Sequence, residues 1–176
     1  MKIAGISGNP YAASTNLKVL EKIGAELVNN GHTFEVIHEV KDLPLFNPQT
    51  AYQNHYEIVN EMRNKINAAD FVVIVSPEYM GGVPAILKNA LEWMLSEATL
   101  MHKPVAFVIH SPIGTHAFEA LNRHLRIMGA DLKEEWQLLI SYNKRIERAD
   151  GWFQDETVND QLKALIKHVS ESEKTT

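Results

Sequence analysis

Residues 77–84, with the sequence PEYMGGVP, have the composition of a ligand-binding loop. They directly follow an apolar run, Phe71 to Val75, and directly precede a helical pattern that begins at Pro84. The two glycines let the backbone come close to a flat molecule where a Cβ atom would clash. The two prolines restrict the backbone at both ends of the loop. The segment therefore predicts a stiff backbone surface that faces a planar ligand.

A second loop, residues 7–16 with the sequence SGNPYAASTN, lies between the first apolar run and the first helical pattern. Its hydroxyl and amide side chains can direct donors at an anion over a helix N-terminus, and Ser14 is the candidate N-cap. The loop has no Lys or Arg, so a bound phosphate would depend on neutral donors and on the helix end. Alternatively, Ser14 and Asn16 only cap the helix.

Three widespread motifs do not fit this second loop. A P-loop requires Gly-Lys-Ser/Thr at the helix start, where this chain has the sequence STN at residues 14–16. The dinucleotide fingerprint needs three spaced glycines, and only Gly5 and Gly8 are present. The hydrolase elbow, Gly-x-Ser-x-Gly, lacks its last glycine because Asn9 stands there.

Composition limits the classes of function. The chain of 176 residues is long enough for one domain with a substantial core, and we expect residues 1–176 to form it. A net charge of -5 argues against a nucleic-acid or anionic-membrane surface. With no cysteine, redox chemistry must come from a bound cofactor, and we expect no metal site. The first apolar run is too short for a signal peptide and no run is long enough to span a bilayer, so we expect a cytoplasmic protein.

Strand and helix patterns alternate along the chain, which predicts a parallel sheet with helices on both faces. For five strands we predict the α/β, doubly wound order 2-1-3-4-5 of the flavodoxin-like fold. In that order a ligand lies over the carboxyl ends of strands 1 and 3, which the two loops follow. The segment at residues 41–55 is long for a connection, and we expect it to cover the site or an interface. The predicted strands are residues 3–6, 34–40, 71–75, 104–109 and 136–140, the predicted helices are residues 15–30, 58–68, 84–95, 115–128 and 156–169, and residues 170–176 are expected to fray.

The two loops together resemble motifs of the NADPH-dependent FMN reductase family. Residues 8–16 follow the spacing of its first motif, Gly-Ser-x-Arg-x-x-Ser-x-Asn. Residues 77–84 follow its second motif, Pro-Glu-Tyr-Asn-Gly-Ser-x-Pro, and residues 87–93, LKNALEW, match the segment that comes next in the family. The resemblance covers the whole chain in element order, and its specific motifs lie between Gly8 and Trp93.

The sequence departs from these motifs at four positions. Asn9 and Tyr11 replace the Ser and Arg of the first motif, and Met80 and Gly82 replace the Asn and Ser of the second. The loop after strand 4, glycine-rich in relatives, is SPIG at residues 111–114. Because Tyr11 carries no charge, we expect FMN to bind less tightly by about 1–3 kcal/mol than with a cation there.

The resemblance implies a flavodoxin-like FMN-dependent NAD(P)H oxidoreductase. NADPH or NADH would deliver electrons, and a small-molecule acceptor (a flavin, quinone, azo or nitro compound) would take them at the same flavin face by a ping-pong mechanism. The phosphate would lie on the first loop and the ring edge against the backbone of residues 79–81. No catalytic acid or base is required, and a homodimer or homotetramer is expected. The predicted cofactor-binding residues are Asn9, Tyr11, Ser14, Thr15, Asn16, Pro77, Glu78, Tyr79, Met80, Gly81, Ser111 and Gly114.

Several alternatives remain open at this point. The chain could be a flavin-binding electron carrier, although such proteins tend to have a strongly charged docking face. It could also be a flavodoxin-like binding or regulatory module with weakened flavin binding. Glu78 could orient its loop, pair across a subunit interface, or be a solvated carboxylate. His110, His116 and His124 do not share the spacing of a ligand pair on one helix face.

Overall fold

A five-stranded, wholly parallel sheet forms the centre of the computed structural model, which describes residues 1–51, 56–141 and 150–172. The strand order is β2-β1-β3-β4-β5, as the sequence predicts. All six residues of β3 are buried, which explains its uninterrupted apolar pattern at the centre of the sheet. The strands are β1 (Lys2–Ser7), β2 (Thr33–Val36), β3 (Phe71–Ser76), β4 (Val105–Ser111) and β5 (Gln137–Ser141).

Helices cover both faces of this sheet and divide the core into two clusters. On one face, apolar side chains of the second, third and fourth helices pack on alternate residues of the strands, with Trp93 and Met62 fully buried. On the other face, the first and fifth helices bury residues such as Leu20 and Leu162. The α-helices are α1 (Thr15–Asn29), α2 (Glu57–Ala68), α3 (Ala85–Leu95), α4 (Thr115–Ile127) and α5 (Glu156–Ser170). None of the helices in the described ranges combines the length and apolarity needed to cross a bilayer.

The predicted second strand, residues 34–40, is wrong in its second half. β2 ends at Val36, and the chain turns into a short 3-10 helix at His38–Asp42. Ile37 and Val40 are both buried in the core, 2% and 3% exposed. Residues three apart lie on the same side of a 3-10 helix, so Ile37 and Val40 can both face the core in this conformation. The apolar pattern that suggested a strand is therefore equally compatible with a 3-10 helix. A second 3-10 turn, Glu134–Trp136, precedes β5 and takes in the first residue of the predicted fifth strand.

The segment after β2 packs on α3. Trp93 Nε1 and Asn89 Nδ2 donate to the Pro44 carbonyl at 2.8 and 2.9 Å, and the Phe46 N–H donates to Asn89 Oδ1 at 2.8 Å. These contacts hold residues 44–46 on α3. Residues 52–55 of the predicted covering loop lie outside the described residues, as do residues 173–176 of the predicted frayed terminus. α5 itself continues to Ser170.

A buried arginine fixes the other end of α3. Arg63 on α2 is only 2% exposed, and its guanidinium donates twice to the Trp93 carbonyl, to Ser96 Oγ and to Glu97 Oε1, at 2.6–3.2 Å. The last carbonyls of a helix have no partner within it, and Arg63 supplies one. The charge is thus satisfied at the C-terminus of α3, the helix whose N-terminus leads out of residues 77–84.

The ends of β1 and β3 approach so closely that the residue after β1 must be glycine. The Gly8 N–H donates to the Val75 carbonyl at 2.8 Å, which continues the ladder beyond β1. A Cβ at Gly8 would collide with the Ser76 hydroxyl and stand 2.7 Å from its Cβ and 3.0 Å from Leu87 Cδ2. Since Ser76 is fully buried, little room exists for it to move.

Gly8→Ala is therefore expected to destabilise the protein by roughly 1–3 kcal/mol, the usual cost of overpacking a tight site. Urea unfolding followed by circular dichroism measures this difference. Gly82→Ala is the matched control, because a Cβ at Gly82 meets no atom within 4 Å. Equal unfolding free energies for the two variants would contradict the close approach described for Gly8.

Candidate functional site

Three loops meet at one edge of the sheet, because β1, β3 and β4 are neighbours and parallel. Residues 8–14 follow β1, residues 77–84 follow β3, and residues 112–114 follow β4. The Asn16 amide, in the first turn of α1, donates to the His110 carbonyl near the end of β4 at 3.0 Å. This bond ties the first loop to the third, so the predicted site residues come together at the carboxyl edge.

The first loop is organised by the Asn9 side chain. Asn9 Oδ1 accepts from the N–H of Tyr11 at 3.0 Å, and its Nδ2 donates to Asn16 Oδ1 at 3.1 Å. The first bond is an Asx turn, which lets a short side chain replace a backbone turn. The Ser14 N–H then closes a second turn on the Tyr11 carbonyl at 3.0 Å. The Tyr11 side chain is left 67% exposed at the rim of the loop.

The N-terminus of α1 is arranged to receive an anion. Ser14 is the N-cap, as predicted, and its Oγ accepts from the Leu17 N–H at 3.1 Å. The N–H groups of Thr15 and Asn16 belong to the first turn and have no acceptor within the helix. The helix has no acidic residue in its first turn, so its partial positive charge is not offset there. An anion of moderate charge fits this end without any Lys or Arg in the loop.

The second loop forms a tight turn at residues 79–82. Tyr79 N–H donates to the Gly82 carbonyl at 2.9 Å, and Gly82 N–H donates back at 3.0 Å. The two central residues, Met80 and Gly81, have φ values of +52° and +69°, the signs of a type I′ turn. Their own N–H groups take no part in this pair of bonds. The tip of the turn therefore leaves these peptide N–H groups outside its own closing hydrogen bonds.

Side chains of this turn point outwards. Met80 is 104% exposed and Tyr79 is 45% exposed, whereas Pro77 at the start of the loop is buried. Ile113 of the third loop is 64% exposed. With Tyr11, these residues give the carboxyl edge an exposed apolar and aromatic rim. Such a rim suits the faces of a flat, conjugated molecule better than it suits an ion.

Ser111 and Gly114 shape the third loop. Ser111, the last residue of β4, is 6% exposed. Gly114 has a φ of +82° and leads into α4 as its N-cap. Glycine adopts this φ without the strain that another residue would have, and a Cβ there would lie 2.7 Å from Leu139 Cδ1, so that side chain would have to move. Glu78 reaches this region, where its Oε2 accepts from the Ala117 N–H in the first turn of α4 at 2.9 Å.

Two of these ties could not be found from the sequence. Asn16 matches a motif position, but nothing local shows that its amide reaches the His110 carbonyl. Glu78 carries three open interpretations in the sequence, and the structure places its carboxylate on α4. Both contacts join residues far apart in the chain, 94 and 39 positions respectively.

Of the three histidines singled out in the sequence, His110 and His124 are half-buried and His116 is exposed. The His110 ring lies 5.3 Å from the Phe153 ring, edge to face. His124 Nδ1 is buried and has no hydrogen-bond partner in the described part of the chain. Burial lowers the pKa of His124 below 6.5, the charges of Lys88 and Arg123 lower it further, and Glu92 opposes them. Within the described ranges, no three His, Asp or Glu side chains group closely enough to hold a metal ion.

The lowered pKa of His124 predicts an acid-sensitive fold. Below a pH of about 6.5 the unfolded chain binds a proton at this position that the folded chain resists, so stability falls as the pH drops from 6.5 towards the folded pKa. The wild type should lose more stability between pH 7.5 and 5.5 (roughly one unit either side of the histidine value) than His124→Gln. Urea unfolding at both pH values measures this, and an equal loss in both proteins contradicts it.

Met80 occupies a left-handed conformation that glycine and asparagine adopt more easily. A left-handed residue with a side chain costs about 1–2 kcal/mol. We therefore expect Met80→Gly and Met80→Asn to stabilise the free protein by about 0.5–1 kcal/mol, with Gly82→Ala as the control. Urea unfolding gives these differences. Destabilisation by Met80→Gly would show that the exposed side chain makes contacts that outweigh the strain.

Comparisons with known proteins point to one family. The family model described as NADPH-dependent FMN reductase matches residues 1–140. The chain is 31% identical over 122 residues to an NADPH azoreductase of Bacillus sp. (strain OY1-2), covering 69% of this chain and 65% of the azoreductase. It is 31% identical over 177 residues to an NADPH:quinone oxidoreductase of Arabidopsis thaliana, covering 94% and 88% of the two chains.

Structural similarity extends over almost the whole fold. The flavoenzyme NAD(P)H:(acceptor) oxidoreductase FerB from Paracoccus denitrificans superposes with a TM-score of 0.76 at 23% identity, covering 97% of this chain and 95% of FerB. At that identity the likeness concerns the fold. The alignments to three curated reductase relatives, the azoreductase among them, span only 50–65% of those proteins' own length. On the extent of the family match, this chain belongs to the NADPH-dependent FMN reductase family.

Proposed function

We propose that this protein is an FMN-dependent NAD(P)H oxidoreductase that passes electrons to a small-molecule acceptor. The observation that carries the proposal is the turn at residues 79–82. Its two central residues have positive φ values, and their N–H groups are outside the turn's own hydrogen bonds. The turn follows β3, and the neighbouring strand, β1, leads into α1. The first N–H groups of α1 have no acceptor within the helix. A planar ring with an anionic tail fits this pair of features.

The predicted site residues divide into two groups in this proposal. The phosphate would be held by the first-turn N–H groups of Thr15 and Asn16, by the Ser14 hydroxyl and by the remaining amide hydrogen of Asn9. Tyr11 lies at the rim of this group. The ring would lie against the backbone of residues 79–81, with Ser111 and Gly114 on the neighbouring loop. Pro77 and Glu78 come directly before the turn.

The chain's own task is binding and orientation. When bound, FMN would supply the redox chemistry, accepting hydride from a nicotinamide and returning electrons to an acceptor. The turn's N–H groups would direct partial positive charge at the polar edge of the ring. The apolar rim of Tyr11, Tyr79 and Ile113 would reduce the access of water to that face. No side chain is needed as a general acid or base in this scheme.

The acceptor is proposed from chemistry and from the relatives' names. The names NADPH azoreductase and NADPH:quinone oxidoreductase support flat, conjugated acceptors such as azo compounds and quinones. An open edge with an aromatic rim suits molecules of that shape, used in turn with the nicotinamide at one face of the ring. NADPH or NADH as donor, a homodimer or homotetramer, and a cytoplasmic location remain part of the proposal.

One observation favours the alternative of weakened flavin binding. Asn9 Oδ1 accepts from the Tyr11 N–H, and Asn9 Nδ2 donates to Asn16 Oδ1, so both ends of this amide already have partners. One amide hydrogen then remains for a phosphate, and no cation stands in the loop. A binding module that holds flavin weakly would have these features as well.

Measuring flavin binding and turnover on the purified protein separates these functions. We expect FMN to bind with a dissociation constant in the micromolar range or below, and NAD(P)H consumption with a quinone to require both protein and FMN. Flavin binding without NAD(P)H consumption would favour an electron carrier. Failure to bind FMN at micromolar protein and flavin would overturn the proposal.

Two helix-cap variants test the location of the site. Ser14→Ala removes a hydrogen bond worth about 1 kcal/mol at the proposed phosphate end, so the FMN dissociation constant should rise about fivefold. Asp155→Ala is the matched control, because Asp155 caps α5 by accepting from the N–H groups of Thr157 and Val158. An unchanged affinity in Ser14→Ala, or an equal loss in both variants, would place the phosphate elsewhere.

A further inference from the structure

The Glu78 carboxylate connects two loops of the site. It begins next to the turn at residues 79–82 and ends on the first turn of α4, where Oε2 accepts from the Ala117 N–H at 2.9 Å. The residue is half-buried. The contact bridges the loop after β3 and the segment after β4, which are 39 positions apart. A side chain that only faced solvent at a strand end would not make it.

The N-terminus of α4 depends on this carboxylate for a side-chain acceptor. Its N-cap residue, Gly114, has no side chain, and the first turn has no acidic residue of its own. A carboxylate at this place takes one unpaired N–H and offsets the partial positive charge of the helix end. In α1 and α5 the same need is met by Ser14 and Asp155, each within its own helix cap. α4 is capped instead from the neighbouring loop.

On its other side, Glu78 adjoins the strained part of the site. Met80 and Gly81 are both left-handed, and the Met80 side chain is wholly exposed, so the tip of the turn has little packing of its own. The turn is closed by the two bonds between Tyr79 and Gly82. Those bonds fix the shape of the turn but not its position relative to α4. The hydrogen bond between Glu78 and Ala117 links the turn to α4.

We propose that Glu78 is a positioning residue, which holds the ring-binding turn at a fixed place relative to residues 111–117 through the Ala117 N–H. The inference rests on the proposed FMN function and deepens it. Glu78 acts through the loop: its carboxylate is engaged with α4, and the backbone of residues 79–81 meets the ring. This assigns Glu78, one of the predicted cofactor-binding residues, an indirect role. Removing its carboxylate releases the turn and leaves in place the backbone and side-chain groups that the proposed function puts against FMN.

Three variants test this inference. Glu78→Ala removes the acceptor, and Glu78→Gln keeps an acceptor oxygen without the charge. The control, Glu119→Gln, removes a charge from an exposed position on α4. The measurements are the FMN dissociation constant, the visible spectrum of the bound flavin, and amide hydrogen exchange of residues 79–82 and 117 in the flavin-free protein. Should Glu78→Ala fail to fold, Glu78→Asp takes its place, because its shorter side chain falls short of Ala117.

Glu78→Ala should raise the FMN dissociation constant about tenfold, which corresponds to about 1.4 kcal/mol. It should also shift the flavin spectrum and speed exchange at both residues 79–82 and Ala117. Glu78→Gln should recover most of the affinity and the spectrum, and Glu119→Gln should match the wild type. Wild-type affinity and spectrum in Glu78→Ala, with faster exchange at Ala117 only, would make Glu78 a cap of α4 and overturn the proposal.

The flavin-free measurement keeps this proposal separate from the proposed function. If the wild type binds no FMN, the oxidoreductase proposal fails, yet the exchange data still report on the turn. Faster exchange at residues 79–82 in Glu78→Ala supports the positioning role in that case. Unchanged exchange there overturns it, whatever the flavin result.

Discussion

The close approach of β1 and β3 is the constraint on which the rest of the site depends. Parallel pairing sends both strands out at the same edge, and the bond from the Gly8 N–H to the Val75 carbonyl extends that pairing beyond the end of β1. With no Cβ at Gly8, the buried Ser76 can lie against the backbone. The loop that offers a helix N-terminus and the loop that offers a tight turn therefore start side by side.

Side chains then hold the loops together where the backbone ladder stops. Asn16 joins α1 to the end of β4, and Glu78 joins the loop after β3 to α4. In each case a side chain bonds to a backbone group of another element: the Asn16 amide donates to the His110 carbonyl, and the Glu78 carboxylate accepts from the Ala117 N–H. The outcome is an edge whose loops are joined by hydrogen bonds and whose exposed side chains, such as Tyr11, Met80 and Ile113, are apolar or aromatic. The proposed binding through the backbone would be compatible with a methionine at residue 80, because its side chain points away from the turn.

The sequence predicts those features that local patterns specify. The alternation of strands and helices follows from periodicity, and the strand order from the usual order of five-stranded flavodoxin-like sheets. The Ser14 cap follows from capping chemistry and the tight loop at residues 77–84 from its glycine content, and the structure has each of these features. The second half of the predicted second strand is wrong because Ile37 and Val40 suit either a strand or a 3-10 turn. The hydrogen bonds made by Asn16, Glu78 and Arg63 could not be predicted, since each joins residues that are far apart in the sequence and meet only in the finished fold. The left-handed conformation of Met80 could not be predicted either, because it depends on the hydrogen bonds between Tyr79 and Gly82 that close the turn.

The central claim is that one ligand with a planar ring and an anionic tail occupies this edge. An NMR titration of the isotope-labelled protein with FMN tests it most directly, by locating the backbone amides whose chemical shifts change. We expect the largest changes at residues 9–16, 79–82 and 111–114. The groove between α1 and α5, lined by Trp152, Lys163 and Lys167, is the internal comparison and should change little. Largest changes in that groove, or none at the three loops with saturating FMN, would contradict the account.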